Sequence, residues 1–196
     1  MSSDIQSTFI NAAVASAVAI STAAGVANNA ALTLTANPYV TDFPRKITIT
    51  SAADDSGISF TVVGLNESGT AVTETVTGVD SGVATSANYY SSVTSITAVG
   101  DPAGNVSAGT ANDVFATIFG GRMRLQGLYA VNTATAGTIT FRDTSPTGTI
   151  RMQFNTVGSA TSSEYPDVPD DGLLFVGGGF LDYSAANMSS ITLFYA

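Results

Sequence analysis

Cysteine, histidine and tryptophan are all absent from this chain of 196 residues. Histidine is the commonest general base and metal ligand, and cysteine supplies the best thiol nucleophile and all disulfides. A hydrolytic serine also needs an activating base, and the one lysine, Lys46, has no serine motif beside it. We therefore predict that the protein is not an enzyme and has no catalytic residue, no cofactor and no metal ligand.

Charge is also scarce, since charged residues make up 11% of the chain against about 25% in ordinary globular proteins. A surface of serine, threonine, asparagine and glycine suits a protein whose faces are largely covered by other subunits, although secreted β-sandwiches share this composition. The net charge is −9, from 15 acidic and 6 basic residues. Such a chain repels phosphate backbones, and we predict no nucleic-acid partner.

The most apolar stretch, residues 10–31, is mostly alanine with serine, threonine and asparagine throughout. That composition is too weakly apolar for the core of a bilayer, so we predict no membrane partner. Residues 1–9 contain Asp4 and no lysine or arginine, whereas the start of a signal peptide is basic. We expect synthesis in the cytoplasm without export through the Sec pathway.

The N-terminal segment, residues 2–24, allows two interpretations. The spacing of Ile10, Val14 and Val18 is helical, but the valine, isoleucine and threonine content weakens a helix. A short helix and an extended arm both remain open. An alanine-rich stripe is too thin to form a core alone, so we predict an arm over residues 1–27 that contacts a partner through four apolar side chains, namely Ile5, Phe9, Ile10 and Val14.

From residue 30 onwards the pattern becomes that of β-strands. Apolar and polar residues alternate over 32–35 and 45–50, and turn sequences follow at 54–57 and 66–69. Strands at this spacing, separated by glycine, asparagine and aspartate, are typical of β-sandwiches and barrels. We predict an all-β protein with two sandwich-like or jelly-roll-like domains, residues 28–112 and 113–196.

The second half shows the same pattern. Ser145–Gly148 has the composition of a hairpin turn, and residues 158–171 that of a surface loop. The run Gly177–Gly179 is followed by no lysine and no helical pattern, so we interpret it as a turn or bulge rather than a phosphate loop. The segment Ile191–Tyr195 alternates too imperfectly for an exposed edge, and we expect it to be central or at an interface.

Three groups of side chains raise the question of a binding site. Asp54–Asp55 with Asp80, and Glu164 with Asp167, Asp170 and Asp171, contain the carboxylates that calcium would need, but each group also fits an ordinary turn or loop. Tyr89–Tyr90 fits either a platform for a sugar ring or the packing of a strand on both faces. In each case we favour the structural interpretation.

Several short segments of the chain together resemble small virion structural proteins of tailed bacteriophages. They lie at 46–62, 74–78, 93–97, 127–133, 172–175 and 190–195. The resemblance implies a structural component of a phage particle, without specifying which one. Because a low-charge surface and an apolar N-terminal arm suit attachment to a repeating shell, we expect a capsid decoration, or cement, protein that clamps neighbouring major capsid subunits on the head surface. We expect it to be made in the host cytoplasm and to act as a homotrimer. A tail, collar or fibre-adaptor component is the nearest alternative. A carbohydrate-binding adhesin, using Tyr89, Tyr90 and the loop 164–171, is another. No functional residue carries over from the resemblance.

Overall fold

The structure is a computed structural model and describes residues 4–196. Its regular elements are all β-strands, and no helix occurs within that range. The strands are β1 (Gln6–Ile10), β2 (Ser16–Gly25), β3 (Tyr39–Ser51), β4 (Ser59–Leu65), β5 (Ala71–Thr77), β6 (Val83–Val99), β7 (Asn105–Phe119), β8 (Met123–Asn132), β9 (Gly137–Asp143), β10 (Ile150–Thr156), β11 (Ser163–Glu164), β12 (Leu173–Phe175), β13 (Gly179–Ser184) and β14 (Met188–Tyr195). The prediction of an all-β protein of the β-sandwich type is confirmed, and the two sheets are antiparallel.

The chain forms two compact units. One comprises Val14–Asn112, and the other combines the N-terminal residues up to Ala13 with Asp113–Ala196. The division falls inside β7, so the first half of that strand belongs to one unit and the second half to the other. Below, the unit of residues 14–112 is called the central unit and the other the terminal unit.

In the central unit the strands are ordered β7-β3-β6-β4-β5, and β2 pairs with β7. Alternation places apolar residues inside: Phe60 and Val62 of β4 are fully buried, while Thr61 between them is partly exposed. Ile20 from β2 and Ile47 from β3 join the same core. These side chains come from strands far apart in the sequence, so the core depends on long-range pairing.

The terminal unit contains two layers. The first is a sheet in the order β1-β14-β8-β11, with β12 also paired to β8, and the second is the ladder β10-β9-β13-β7. Ile191 and Leu193 of β14 are fully buried, as are Phe141 of β9 and Leu181 of β13. Strand β14 lies between β1 and β8, which confirms the expectation that the C-terminal run would be central.

The helical interpretation of the N-terminal segment is wrong. Within residues 4–27 the chain is extended: β1 pairs with β14 and β2 pairs with β7. The 3.6-residue spacing of Ile10, Val14 and Val18 is coincidental. Ile10 belongs to one strand, Val18 to another, and Val14 lies between the strands. Pairing with β14 and β7 satisfies part of the backbone of this segment, and the β-branched residues suit the extended conformation.

Two predicted turns and the bulge form, whereas one predicted strand does not. Asn66 accepts hydrogen bonds from Ser68 and Thr70 in the β4–β5 turn, and the β9–β10 hairpin surrounds Ser145–Gly148 as expected. The bulge at the glycine run is also present, since the β7–β13 register shifts between Gly179 and Phe180. The predicted strand over 32–35 is wrong: this segment lies outside the strands, although the Leu32 amide donates to the Ile96 carbonyl.

Asp143 ties the β9–β10 hairpin to the glycine run. Its carboxylate, 2% exposed, accepts hydrogen bonds from the Val176 and Gly177 amides and from the Arg151 guanidinium, whose Nε lies 3.0 Å from Oδ2. Burial raises the pKa of Asp143, but the Gly177 amide, Arg151 and the Val176 amide outweigh it, and the pKa lies below its ordinary value. The ionised carboxylate therefore stabilises this end of the terminal unit.

We expect Asp143→Asn to lower the free energy of unfolding by about 2 kcal/mol at pH 6, because the charge-assisted hydrogen bonds weaken. Since the folded pKa is depressed, the stabilisation is present above the unfolded value of about 3.9 and is lost as the pH falls through the folded pKa. Urea titrations at pH 6 and pH 3 should show that the free energy of unfolding falls less between these two pH values in the variant than in the wild type. Asp170→Asn, at an exposed loop position, is the control for net charge. If the free energy of unfolding falls equally on acidification in all three proteins, ionised Asp143 does not stabilise the fold.

Candidate functional site

The outer face of the first sheet of the terminal unit is built by the pairing of β1, β14 and β8. Phe9 pairs with Thr192, which pairs with Tyr129, and these three residues form one row across the sheet. The adjacent row runs from Ser7 through Phe194 to Gly127. Directly paired residues point to the same side, and the intervening Ile10, Ile191 and Leu193 are buried. Both rows therefore face outwards, and neither contains a charged residue.

Large apolar and aromatic side chains are exposed on this face. Phe9 is 62% exposed and Phe194 is 40% exposed, and Ile5, just before β1, is 66% exposed. Tyr129 is half-buried, and Tyr165 packs on it. We call the surface formed by these five residues (Ile5, Phe9, Tyr129, Tyr165 and Phe194) the aromatic face. Exposed aromatic clusters of this kind mark interaction sites more often than ordinary surface.

Tyr165 extends the aromatic face beyond β8. Its ring centroid lies 4.9 Å from that of Tyr129, with the rings inclined at 40°. The Tyr129 hydroxyl lies 3.2 Å from the Ser163 hydroxyl on β11, so the loop that carries Tyr165 is anchored to the sheet. Desolvation, and then the neighbouring Tyr129, raise the pKa of Tyr165 above its ordinary value. The rings present flat area with polar tips, as interface tyrosines do.

Strand β1 also gives this sheet a free edge. It is the outermost strand in the order β1-β14-β8-β11, and no other strand of residues 4–196 pairs with its outer side. Residues 6–10 include no lysine, arginine or proline, the residues with which exposed edges are usually guarded. The aromatic face and a strand edge able to accept a further strand are therefore adjacent.

The four predicted partner-contact residues are placed differently. Ile5 and Phe9 lie on the aromatic face. Ile10 alternates inwards and is 1% exposed, so its selection as a contact residue is corrected: the side chain belongs to the core. Val14 is 66% exposed and begins the central unit.

Phe194, Tyr129 and Tyr165 were missed from the sequence. For Phe194 a partial signal existed, because a strand over 191–195 puts Phe194 on the same side as Thr192 and opposite its two apolar neighbours, Leu193 and Tyr195. Gly127, its partner on β8, has open space beside its Cα and leaves the phenyl ring uncovered. Tyr129 and Tyr165 give no such signal, because only the pairing of β11 with β8 brings them together.

Tyr89 and Tyr90 do not form a joint platform. Tyr90 is fully buried, and its hydroxyl donates to Glu74 Oε2 at 3.2 Å. Burial, with the charge and hydrogen bond of Glu74, raises the pKa of Tyr90 far above its ordinary value. Tyr89 points to the other side of β6, where the Lys46 ammonium lies 5.6 Å from its ring centroid. Packing on both faces of a strand is the observed arrangement.

Carboxylates from both acidic groups accept hydrogen bonds within the fold. Asp54 Oδ1 accepts from the Ser56 hydroxyl at 2.7 Å and from the Ser56 amide, and these bonds lower the pKa of Asp54. Asp55 is buried, and its Oδ1 accepts from the Ala103 amide at 2.7 Å. In the 164–171 loop, Glu164 accepts from the Asn132 amide at 3.3 Å. Across residues 4–196, no three acidic side chains gather closely enough to hold a metal ion.

Comparison with protein-family models, curated proteins and solved structures found no match to this chain. Within residues 4–196 there is also no helix of the length and apolar character that a membrane crossing requires. The functional argument therefore rests on the chain's own surfaces.

Proposed function

We propose that the protein is a virion structural protein of a tailed bacteriophage, namely a capsid decoration protein that clamps neighbouring major capsid subunits on the head surface. The observation that carries the proposal is the aromatic face beside the free edge of β1. A decoration protein needs a rigid body with a surface that adheres to a repeating lattice, and the aromatic face on this sheet is the surface we assign to that role. The resemblance of the chain's short segments to small phage virion proteins supports the same class.

The chemistry of the aromatic face favours a protein partner. Phe9 and Phe194 offer apolar area that is costly to leave in water, at roughly 25 cal/mol for each Å². Aromatic residues are enriched among the few interface residues that carry most of the binding energy. Around them lie Ser7, Thr192 and Gly127, which are small and uncharged, so a partner can approach without removing a charge from water.

The free edge of β1 would fix the orientation of a bound partner. A strand from a capsid subunit can add to it through backbone hydrogen bonds, while the aromatic side chains fill pockets beside that strand. Assembly as a homotrimer would bring three such sites to bear on the lattice at once. Weak individual contacts then combine, and retention on the shell exceeds the strength of any single contact.

The test uses heads of the parent phage prepared without this protein. Wild-type protein should co-sediment with them at a fixed ratio to the shell subunit, and the double variant Phe9→Ser/Phe194→Ser should bind about 100-fold more weakly, because two aromatic contacts are lost. Val83→Ser, at a 56% exposed valine of the central unit, is the matched control and should bind as the wild type does. Thermal unfolding of each variant establishes that the fold is intact.

Three results would contradict the proposal or part of it. If wild-type protein does not bind heads, the decoration role is wrong, and binding to isolated tails would favour a tail or collar component. If the double variant binds as tightly as the control, the aromatic face is not the contact. If light scattering shows a monomer in solution and on release from heads, the trimer is wrong. Deleting residues 1–24 is a poorer test, because it removes β1 and most of β2 from their sheets.

A further inference from the structure

The terminal unit has a polar pocket on the outer side of its second layer. The pocket has a volume of about 350 Å³, which lies in the range of small-molecule sites, about 300–1,000 Å³. Strand register defines its floor: Gln153 of β10 pairs with Thr140 of β9, which pairs with Asp182 of β13. Ser184 of β13 pairs with Asp113 of β7, and Thr138 lies two residues before Thr140 on the same face.

One wall of this polar pocket is held in place by close packing. A side chain at Gly137 would collide with the amide group of Asn187, so the two segments touch directly. Asn187 is 2% exposed, and with its amide oriented to satisfy both partners it donates to the Ser184 carbonyl and accepts from the Thr138 amide at 3.2 Å. The wall is therefore rigid, and a ligand would not have to order it on binding.

The functional groups around the pocket are suited to hydroxyl groups. Gln153 donates to the Thr140 hydroxyl at 3.0 Å, and its amide oxygen is left as an acceptor at the exposed rim. The Thr138 hydroxyl donates to Asn155 Oδ1 at 3.0 Å and can still accept, and the Ser184 hydroxyl accepts from the Ala186 amide at 3.3 Å and can still donate. The carboxylates of Asp113 and Asp182 disfavour an anion. The Arg142 guanidinium disfavours binding of a cation, because it already neutralises Asp182, with its Nε 3.5 Å from Asp182 Oδ2.

From this combination we infer that the polar pocket is a binding site for a neutral sugar, of the size of one or two rings. Each sugar hydroxyl both donates and accepts, and the pocket presents amide, hydroxyl and carboxylate groups in close succession on one rigid surface. The site gives the protein a glycan-binding function, separate from the aromatic face and independent of attachment to a head. Affinity for a single sugar is on the order of millimolar, as for small polar ligands with few contacts.

The test is a ¹H–¹⁵N NMR titration of the full chain with glucose, galactose, mannose, rhamnose and N-acetylglucosamine. At least one sugar should cause saturable shifts confined to amides around the polar pocket. Gln153→Ala and Thr138→Val, both at exposed positions, should each weaken binding about tenfold through a lost hydrogen bond. Ile150→Ala, at a 47% exposed residue of the same strand outside the pocket, should leave the affinity unchanged.

Spermidine and sulfate serve as charged probes in the same titration, and neither should produce saturable shifts at the pocket. The inference is overturned if none of the five sugars shifts the pocket amides, or if spermidine alone does so. It is also overturned if the control Ile150→Ala weakens sugar binding as much as Gln153→Ala. None of these results depends on whether the protein binds phage heads.

Discussion

We expect Gly109→Ala to lower the free energy of unfolding by about 3 kcal/mol, an effect at the upper end of overpacking in a protein interior. Gly109 lies in the first half of β7, where β2 crosses it at very short range. An added Cβ would come within 2.7 Å of Ala17 Cα and even closer to the Ser16 carbonyl oxygen. Because the obstacle is backbone, β2 has to move, and Ile20 leaves the core with it.

The measurement is urea unfolding together with hydrogen exchange. In Gly109→Ala the amides of β2 should exchange faster than those of β4 and β6, because local release of β2 precedes global unfolding. Gly127→Ala is the matched control: it is also a strand glycine, and open space surrounds the position of its Cβ. That variant should stay within about 0.5 kcal/mol of wild type. Equal stability of the two variants would show that β2 tolerates displacement.

The second large effect concerns Arg45, which is buried although it is charged. Its side chain is 1% exposed, and it forms a two-pronged ion pair with Asp42, with Nε 2.6 Å from Oδ1 and Nη2 2.7 Å from Oδ2. The Nη1 group also donates to the Ala111 carbonyl at 3.2 Å. Asp42 is 37% exposed, so water reaches the carboxylate far more easily than the guanidinium.

This asymmetry predicts unequal costs. Asp42→Ala leaves a buried guanidinium without its carboxylate and should cost about 3 kcal/mol. Arg45→Met removes the buried charge itself and keeps most of the packing, so the remaining Asp42 can be hydrated and the cost should be only about 1 kcal/mol. The double variant should resemble Arg45→Met, which means that the first substitution becomes nearly neutral once the arginine is gone.

Chemical denaturation of the wild type, the two single variants and the double variant measures the free energies of unfolding for this double-mutant cycle. Arg122→Met, at an exposed arginine, controls for the loss of a positive charge and should change the stability by no more than about 0.5 kcal/mol. If Arg45→Met is the more damaging of the two single variants, the arginine stabilises the fold through contacts beyond Asp42, such as its bond to the Ala111 carbonyl. The burial argument would then be wrong for this pair.

The positions of the turns could be predicted from the sequence without knowledge of the fold. Asn66–Gly69 and Ser145–Gly148 carry turn residues whose effect on the backbone is intrinsic, and both turns form where their composition predicts them. The strand prediction for 32–35 failed for a related reason. Alternation over four residues is too short to distinguish a strand from a segment that merely crosses a sheet, and here only Ala31 forms an isolated bridge, with Thr97.

The candidate sites needed the pairing of distant strands. Phe9, Tyr129 and Phe194 lie far apart in the chain, and the register of β1, β14 and β8 puts them on one face. A shift of one residue in that register would turn Phe9 inwards and Ile10 outwards. The polar pocket depends in the same way on the register of β10, β9, β13 and β7.

The sequence by itself determined the class of structure: β-branched alternation and turn residues act locally, and they produce strands whatever the strands pair with. It also determined a sparsely charged, acidic chain without cysteine, histidine or tryptophan. Only the tertiary structure decided that the N-terminal segment is extended, that Ile10 is core while Phe9 is surface, and which aromatic residues lie together. Those outcomes depend on the choice of partner strand and register, which is made by cooperative burial across the whole sheet rather than by any short stretch of residues.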